Sequence, residues 1–223
     1  DMAIGLGRCM GFRFPENFEH PYRSASFSEF WSRWHISLSS WLRDYLYISL
    51  GGNRSGTVNT SINLMITMLL GGLWHGASWL FLIWGAIHGI LLILQRIWIA
   101  VIPLNLRSLC PRWCGLVMVY PCVTLAWVPF RATRLEDVWI FWAAPWQLDV
   151  VAFWTHLSHR PFTLIMLSCA FGFHFLSPAV IKSVRWSEWP LELKALVWGS
   201  VGFWLFSFYP QSSAVTPFIY FQF

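Results

Sequence analysis

Ser55 to Gln95 reads SGTVNTSINLMITMLLGGLWHGASWLFLIWGAIHGILLILQ, which is 41 consecutive residues without an Asp, Glu, Lys or Arg. With 11% of the chain charged, about four or five charges would be expected in a stretch of that length. At the centre of a membrane helix each would cost roughly 2.5–3.5 kcal/mol, so a long uncharged run is the mark of a chain that meets lipid. A spanning helix needs about 20 residues, and this run has room for about two passes. Further charge-free gaps cover Trp113 to Phe130 (18 residues), Pro161 to Ile181 (21) and Ala195 to Phe223 (29). The reading is an all-α, multi-pass transmembrane bundle with about five hydrophobic segments: Val58 to Leu70, Ala77 to Ile102, Trp113 to Pro129, Phe162 to Ile181 and Leu193 to Phe208. The first is short, and reads as tilted, re-entrant or extended past its glycines.

Composition agrees with that reading. Of the 223 residues, 57% are hydrophobic, with 17 Trp and 19 Phe, against roughly 45–50% hydrophobic and about 25% charged in a soluble domain. Disorder is excluded, and so is a water-soluble domain of this size, whose core could not hide so much apolar surface. The net charge of +5 does not point to nucleic acid, because the Lys and Arg residues form no run that could follow a phosphate backbone. It reads as membrane-flanking charge. Five cysteines, Cys9, Cys110, Cys114, Cys122 and Cys169, are an odd number and form no disulfide framework.

Between the spans, Pro103 to Pro111 and Arg131 to Asp137 are connectors, the latter leading into an amphipathic stretch, Val138 to Trp146. Ahead of the first span, Trp31, Trp34, Leu38, Trp41, Leu42 and Tyr45 recur at a spacing of three to four. That predicts one amphipathic helix over Phe27 to Leu50, at the interface or under the bundle. There is no internal repeat and no second, soluble domain. The opening residues, Asp1 followed by the apolar and glycine-rich Met2 to Phe12, read as part of a longer protein rather than as a signal peptide.

Chemistry concentrates on the histidines. His75 sits mid-way in the uncharged stretch with Gly71, Gly72 and Gly76 around it, three glycines that predict a break in the helix. In hydrocarbon a break is tolerated only where protein or a water-filled cavity satisfies the freed backbone groups. An ionisable residue at that depth is a functional candidate by default, and an imidazole kept out of water is neutral and able to accept a proton. The bland alternative is a core histidine bonded to a carbonyl of a neighbouring helix. His35, on the amphipathic segment near Arg33 and Arg43, is the second candidate, beside the reading of an ordinary interfacial histidine. His88 follows His75 by thirteen positions, about 220° round a continuous helix, so the two share a face only if the break at Gly76 reorients the chain. His20, His156, His159 and His174 have no supporting constellation. Ser37, Ser39 and Ser40 lie near His35 without a nucleophile elbow. No metal site is expected, since no Cys or carboxylate completes a ligand set with His75 and His88. Gly51 to Arg54 is a turn whose backbone and Arg54 could hold an anionic group.

The runs EFWSRWHISLS (Glu29 to Ser39), WLRDYLY (Trp41 to Tyr47) and LGGNR (Leu50 to Arg54), with GLWHGA (Gly72 to Ala77) and then Trp84-Gly85 and His88-Gly89, resemble the signature of the membrane-bound O-acyltransferases. The branch is the bacterial alginate O-acetyltransferase type. Ala3-Ile4-Gly5, Glu16-Asn17-Phe18, Pro21-Tyr22, Phe130-Arg131 and the terminal Pro217 to Phe223 agree with it. Ser49 stands where proline is expected and Ser32 where arginine is usual; neither touches a histidine. Family members are about twice as long, so residues 1–223 resemble the C-terminal portion of a single acyltransferase domain.

The resemblance implies a multi-pass protein of the bacterial inner membrane, in contact with membrane lipid. It would move an acetyl or similar short acyl group from a cytoplasmic thioester such as acetyl-CoA, used as co-substrate with no bound cofactor, toward hydroxyls of a cell-surface or secreted polysaccharide such as alginate. Its partners would be a periplasmic acyltransferase and the N-terminal half of the same protein, without which the fragment is expected to be inactive. His75 would be the catalytic base and His35 would orient or polarise. Trp34, Trp74, Trp84, His88, Asp44 and Arg54 are candidates for the lining of a substrate channel. Direct attack and a ping-pong route through an acyl-histidine or acyl-serine both fit these residues. The rival readings are a transporter or proton-relay subunit with buried histidines, which usually carries Asp or Glu in the membrane as well, and an inactive structural fragment.

Overall fold

The uncharged stretch folds as a helical hairpin against which three other helical segments pack. The computed structural model describes residues 2–147 and, beyond them, 149, 155, 164, 168, 172, 188–196 and 199. In chain order the helices are α1 (Met2–Cys9), α2 (Phe27–Arg33), α3 (Ile36–Trp41), α4 (Gly56–His75), α5 (Trp79–Val101), α6 (Leu104–Ser108), α7 (Arg112–Arg131) and α8 (Leu135–Ala143). A 3₁₀ turn, Pro21–Arg23, precedes α2, another, Ala144–Gln147, follows α8, and π-helical turns over Leu42–Tyr47 follow α3. No strand occurs among the described residues. All eight helices belong to one unit, Asp1–His159; in the second, Arg160–Phe223, residues 191–196 are helical and the Lys194 amide bonds to the Pro190 carbonyl at 3.1 Å.

The break in the uncharged stretch falls at Gly76, whose φ of 157° and ψ of 155° are a conformation essentially confined to glycine. Ser78 then caps α5, its hydroxyl oxygen accepting the Leu80 amide at 3.2 Å. Gly71 and Gly72 do not break α4. They are buried within it and serve close packing instead: a Cβ on Gly72 would collide with the Phe81 carbonyl, and one on Gly85 with the Met68 carbonyl. A Cβ on Gly89 would lie 2.8 Å from the Met65 sulfur. These pairings, 72 with 81, 68 with 85 and 65 with 89, set α4 antiparallel to α5 with their backbones in near contact.

Two helices among the described residues, α5 and α7, are long and apolar enough to cross a membrane. At 1.5 Å per residue the 23 residues of α5 extend about 35 Å, beyond the roughly 30 Å of a hydrocarbon core. Ile90, Leu94 and Ile97 of α5 and Val117 and Met118 of α7 are exposed, an apolar outer face suited to lipid. The first expected segment, Val58 to Leu70, extends at both ends into α4, whose 20 residues include Asn59, Thr60, Ser61, Asn63 and Thr67 and are correspondingly less apolar. The buried ones are satisfied locally: Thr60 donates to the Gly56 carbonyl (2.8 Å), Asn63 to Gly52 (3.1 Å) and Thr67 to Asn63 (2.7 Å). Ala77 to Ile102 and Trp113 to Pro129 correspond to α5 and α7. The other two segments, Phe162 to Ile181 and Leu193 to Phe208, lie outside the described residues apart from isolated positions and 193–196, and Cys169, His156, His159 and His174 lie outside them too.

The expected continuous amphipathic helix over Phe27 to Leu50 is instead three pieces, α2, α3 and the π-helical turns, broken at Trp34 and His35. Of the two expected placements, at the interface or against the bundle, its first piece takes the packed one. Phe27 and Phe30 join Met68, Leu92, Val119 and Val123 in the core, with Trp31, Trp34 and Trp127 packed against them. Periodicity records which side of each turn is apolar and says nothing of a change in helix direction between turns, so the pattern survived where the single helix did not.

Candidate active site

His35 occupies the break between α2 and α3 in left-handed backbone, φ 44° and ψ 56°. A residue with a Cβ adopts that conformation at a cost of about 1–2 kcal/mol, and it persists only where surrounding bonds hold it. Here Asn17 does so from both ends of its residue: its carbonyl accepts the Ile36 amide (2.9 Å) and its Oδ1 the Ser37 amide (2.8 Å). The Ser39 hydroxyl donates to the Trp34 carbonyl at 2.8 Å, which gives this serine a structural task. Phe18 then closes on Trp34, edge to face at 4.8 Å, and on His35 at 6.0 Å.

His75, the last residue of α4, is enclosed by perpendicular rings: Trp74 at 5.0 Å, Phe130 at 4.9 Å and Trp84 at 5.3 Å between centroids, with Phe81 at 6.1 Å. His35 meets the same Trp74 indole at 6.3 Å. The two imidazoles therefore lie no further apart than these two Trp74 distances laid end to end, short of the roughly 12 Å that one hydroxyl and bridging waters can connect. His88, 1% exposed, follows Trp84 by four residues on the same face of α5. It contacts Trp84 (4.9 Å) and Trp31 (5.1 Å) and stacks on Phe30 (6.1 Å, 6° between planes). The antiparallel hairpin thus reorients the chain so that His75 and His88 flank one indole, Trp84.

Within this cluster Nδ1 of His75, Nε2 of His88 and the indole nitrogens of Trp31 and Trp84 are buried without a hydrogen-bond partner, and Nδ1 of His35 has none in any other residue. Buried polar atoms are normally paired, and the unpaired ones around this single set of rings could take a polar group. Trp34 joins the same set, 4.7 Å from Trp127 and 5.6 Å from Phe30. An open cleft lined by Arg8, Gly11, Phe12, Arg13 and Phe14 contains none of these rings.

Two expected lining residues are not brought to the rings. Asp44 is exposed and paired with Arg43 at 2.7 Å. Arg54 is exposed next to the N-terminus of α4, about 28 Å of helix from His75. The Gly51 to Arg54 turn is tied to α4 through the Asn63 bond to Gly52, and Asn53 accepts from Tyr47 and Arg96. No group of three or more His, Cys, Asp or Glu that could hold a metal ion occurs among the described residues.

Burial among the rings lowers the pKa of His35 from its ordinary 6.5, with only its own backbone opposing. A depressed imidazole makes the folded state bind fewer protons than the unfolded one, so its contribution to stability is full above pH 6.5 and declines as pH falls below that value toward the folded pKa. The thermal midpoint of the detergent-solubilised protein is expected to fall on acidification below pH 6.5, and to fall less in His35→Gln. Equal slopes for the two proteins would count against the burial of His35.

Sequence reasoning missed Glu29. Its carboxylate accepts from the Ala25 amide (2.8 Å), Arg33 (3.0 Å) and Arg112 at the start of α7 (2.6 Å). Burial alone would raise its pKa, but these donors together hold it below the usual carboxylate value. Beside it, Gln95 of α5 accepts the Ser28 amide at 3.1 Å and donates to the Ser28 hydroxyl at 3.0 Å. The N-terminus of α2 is thereby clamped to α5 and α7, and the other end of this one short helix delivers Trp31, Trp34 and His35. The available signal was Ser26 three residues before Glu29, the spacing of a helix-capping pair. Glu29→Gln keeps an acceptor for Ala25 but loses the ionic contacts, and should cost about 1–2 kcal/mol, read as a lower melting temperature. An unchanged midpoint would show that the clamp contributes nothing.

Comparison with known proteins completes the picture. Residues 1–125, which contain His35, His75, Trp84 and His88, match the family model described as MBOAT, the membrane-bound O-acyltransferase family. This chain belongs to that family. It is 58% identical over 145 residues to a probable alginate O-acetylase of Azotobacter vinelandii, across 65% of this chain and 28% of that protein. It is 42% identical over 137 residues to a peptidoglycan O-acetyltransferase of Helicobacter pylori (61% and 26%). With a teichoic acid D-alanyltransferase of Streptococcus thermophilus it shares 36% over 106 residues (44% and 25%). The matched part of this membrane-bound O-acyltransferase chain thus spans little more than a quarter of the length of these curated relatives. Membership of a membrane-bound family and the apolar helices α5 and α7 make it a membrane protein.

Proposed function

We propose that this chain carries the catalytic histidines of a multi-pass inner-membrane enzyme that moves an acetyl group from a cytoplasmic thioester, such as acetyl-CoA, toward hydroxyls of a secreted polysaccharide such as alginate. The observation that carries the reading is the convergence of His35 and His75, forty residues apart, on one indole, that of Trp74. His75 takes the proton of the attacking hydroxyl while the thioester carbonyl is held against it, and His35 orients or polarises. Trp34 and Trp84 wall the reaction from water, and the more exposed Trp74 stands against both imidazoles. Positioned base catalysis is typically worth 10²–10⁴-fold, and holding both reactants in one site adds to it. The alginate-type acceptor is favoured because identity is higher to the alginate O-acetylase than to the peptidoglycan or teichoic acid relatives. An N-terminal portion of the same protein completes the enzyme, and a periplasmic acyltransferase passes the group to the polymer.

The test uses inner-membrane vesicles containing the full-length protein and acetyl-CoA labelled in its acetyl group. Label is expected in alginate as a base-labile ester when the periplasmic fraction is present. Label that stays with the thioester while the protein is abundant and folded overturns the reading.

A further inference from the structure

Acyl transfer from a thioester loads negative charge onto the carbonyl oxygen as the new bond forms, and sites that accelerate such reactions aim hydrogen-bond donors at that oxygen. We propose that the indole N–H of Trp84 is this donor, an inference that rests on the acyl-transfer reading and extends it. Trp84 is 3% exposed, its Nε1 has no partner, and its ring stands perpendicular to His75 at 5.3 Å. A buried tryptophan ordinarily finds a partner for its N–H, so one left unpaired next to the proposed base needs a reason.

Among the described residues, few other side chains around His75 offer a donor. Phe130, 5.3 Å from Trp84 and 4.9 Å from His75, and Phe81, 5.2 Å from Phe130, are apolar walls. The buried polar side chains of α4, Thr60, Asn63 and Thr67, already donate to backbone carbonyls. Trp31 has an unpaired indole nitrogen too, but its ring meets Trp84 and His88. The next residue, Gly85, brings the α5 backbone at Trp84 against the Met68 carbonyl of α4. In the step itself the acceptor oxygen bonds to the carbonyl carbon and its proton passes to His75. The carbonyl electron pair moves onto oxygen, where Trp84 stabilises it; collapse then expels the thiolate, which takes the proton from His75.

The experiment places 3-benzothienylalanine at position 84 of the full-length protein, an analogue in which sulfur replaces the N–H while ring size and contacts are kept, with Trp84→Phe as a second variant. Acetyl transfer is measured per mole of protein in the membrane. The expected result is a kcat lower by about 10²–10³-fold in both, as for loss of one oxyanion donor, with KM for acetyl-CoA within about twofold of the parent. A benzothienyl protein that keeps kcat within about threefold overturns the proposal, and so does a loss confined to KM. His75→Gln run alongside separates the two ideas: an inactive His75 variant beside an active benzothienyl protein removes only Trp84, whereas an active His75 variant removes the reading on which it rests.

Discussion

His75→Gln in the full-length protein is expected to reduce acyl transfer at least 10²-fold while the protein accumulates in the membrane at close to the parental level. The loss corresponds to about 2.7 kcal/mol of transition-state stabilisation. Glutamine approximates the size and polarity of a neutral imidazole, so the space between Trp74, Trp84 and Phe130 stays filled. Little folding energy goes with the substitution, because Nδ1 of His75 makes no hydrogen bond to lose. What goes is the proton acceptor, and a carboxamide cannot replace it. His35→Ala should also impair transfer severely. His88→Ala should impair the chemical step less, since His88 reaches the site through Trp84 and Trp31. Transfer above about a tenth of the parental rate by an abundant His75→Gln protein would show that the base lies elsewhere.

Gly85→Val and Gly72→Val are expected to prevent the hairpin from closing, and with it both accumulation and activity. At each position the first added carbon meets backbone of the facing helix, Met68 for Gly85 and Phe81 for Gly72. Backbone cannot swing aside as a side-chain tip can, so α4 and α5 must separate and carry His75 away from Trp84. Overpacking usually costs 1–3 kcal/mol and occasionally more, and two helices forced apart along their whole contact belong at the upper end. The series is graded. Gly89→Ala meets the flexible Met65 side chain and should be milder, and Gly5→Ala, with nothing within 4 Å, should be silent. Protein level and melting temperature in detergent measure the series, and a Gly85→Val protein as stable as Gly5→Ala would refute the close approach.

What the sequence determined by itself is what neighbouring residues encode. The absence of charge between Arg54 and Arg96 predicts apolar helices there, and α4, α5 and α7 fall on the first three expected segments to within a few residues, α5 and α7 being long and apolar enough to cross a membrane. Gly76, placed directly after His75, marks the turn, because only glycine accepts its backbone conformation. The motifs around His35 and His75 pointed to the family that residues 1–125 match. Only the tertiary structure decided how these pieces meet. The amphipathic period ran unbroken through Trp34 and His35, yet Asn17, from a preceding loop, holds a left-handed residue there and turns the helix. Gly71 and Gly72 read as helix breakers, yet they are contact points, Gly72 against the facing helix α5 and Gly71 against Leu42. Glu29 and Arg112 are 83 positions apart, and nothing in either neighbourhood announces the other. Spacing along a chain specifies which residues share a face of one helix, whereas the partner of that face is chosen by shape and by unpaired polar groups across the bundle, and those exist only once the helices have packed.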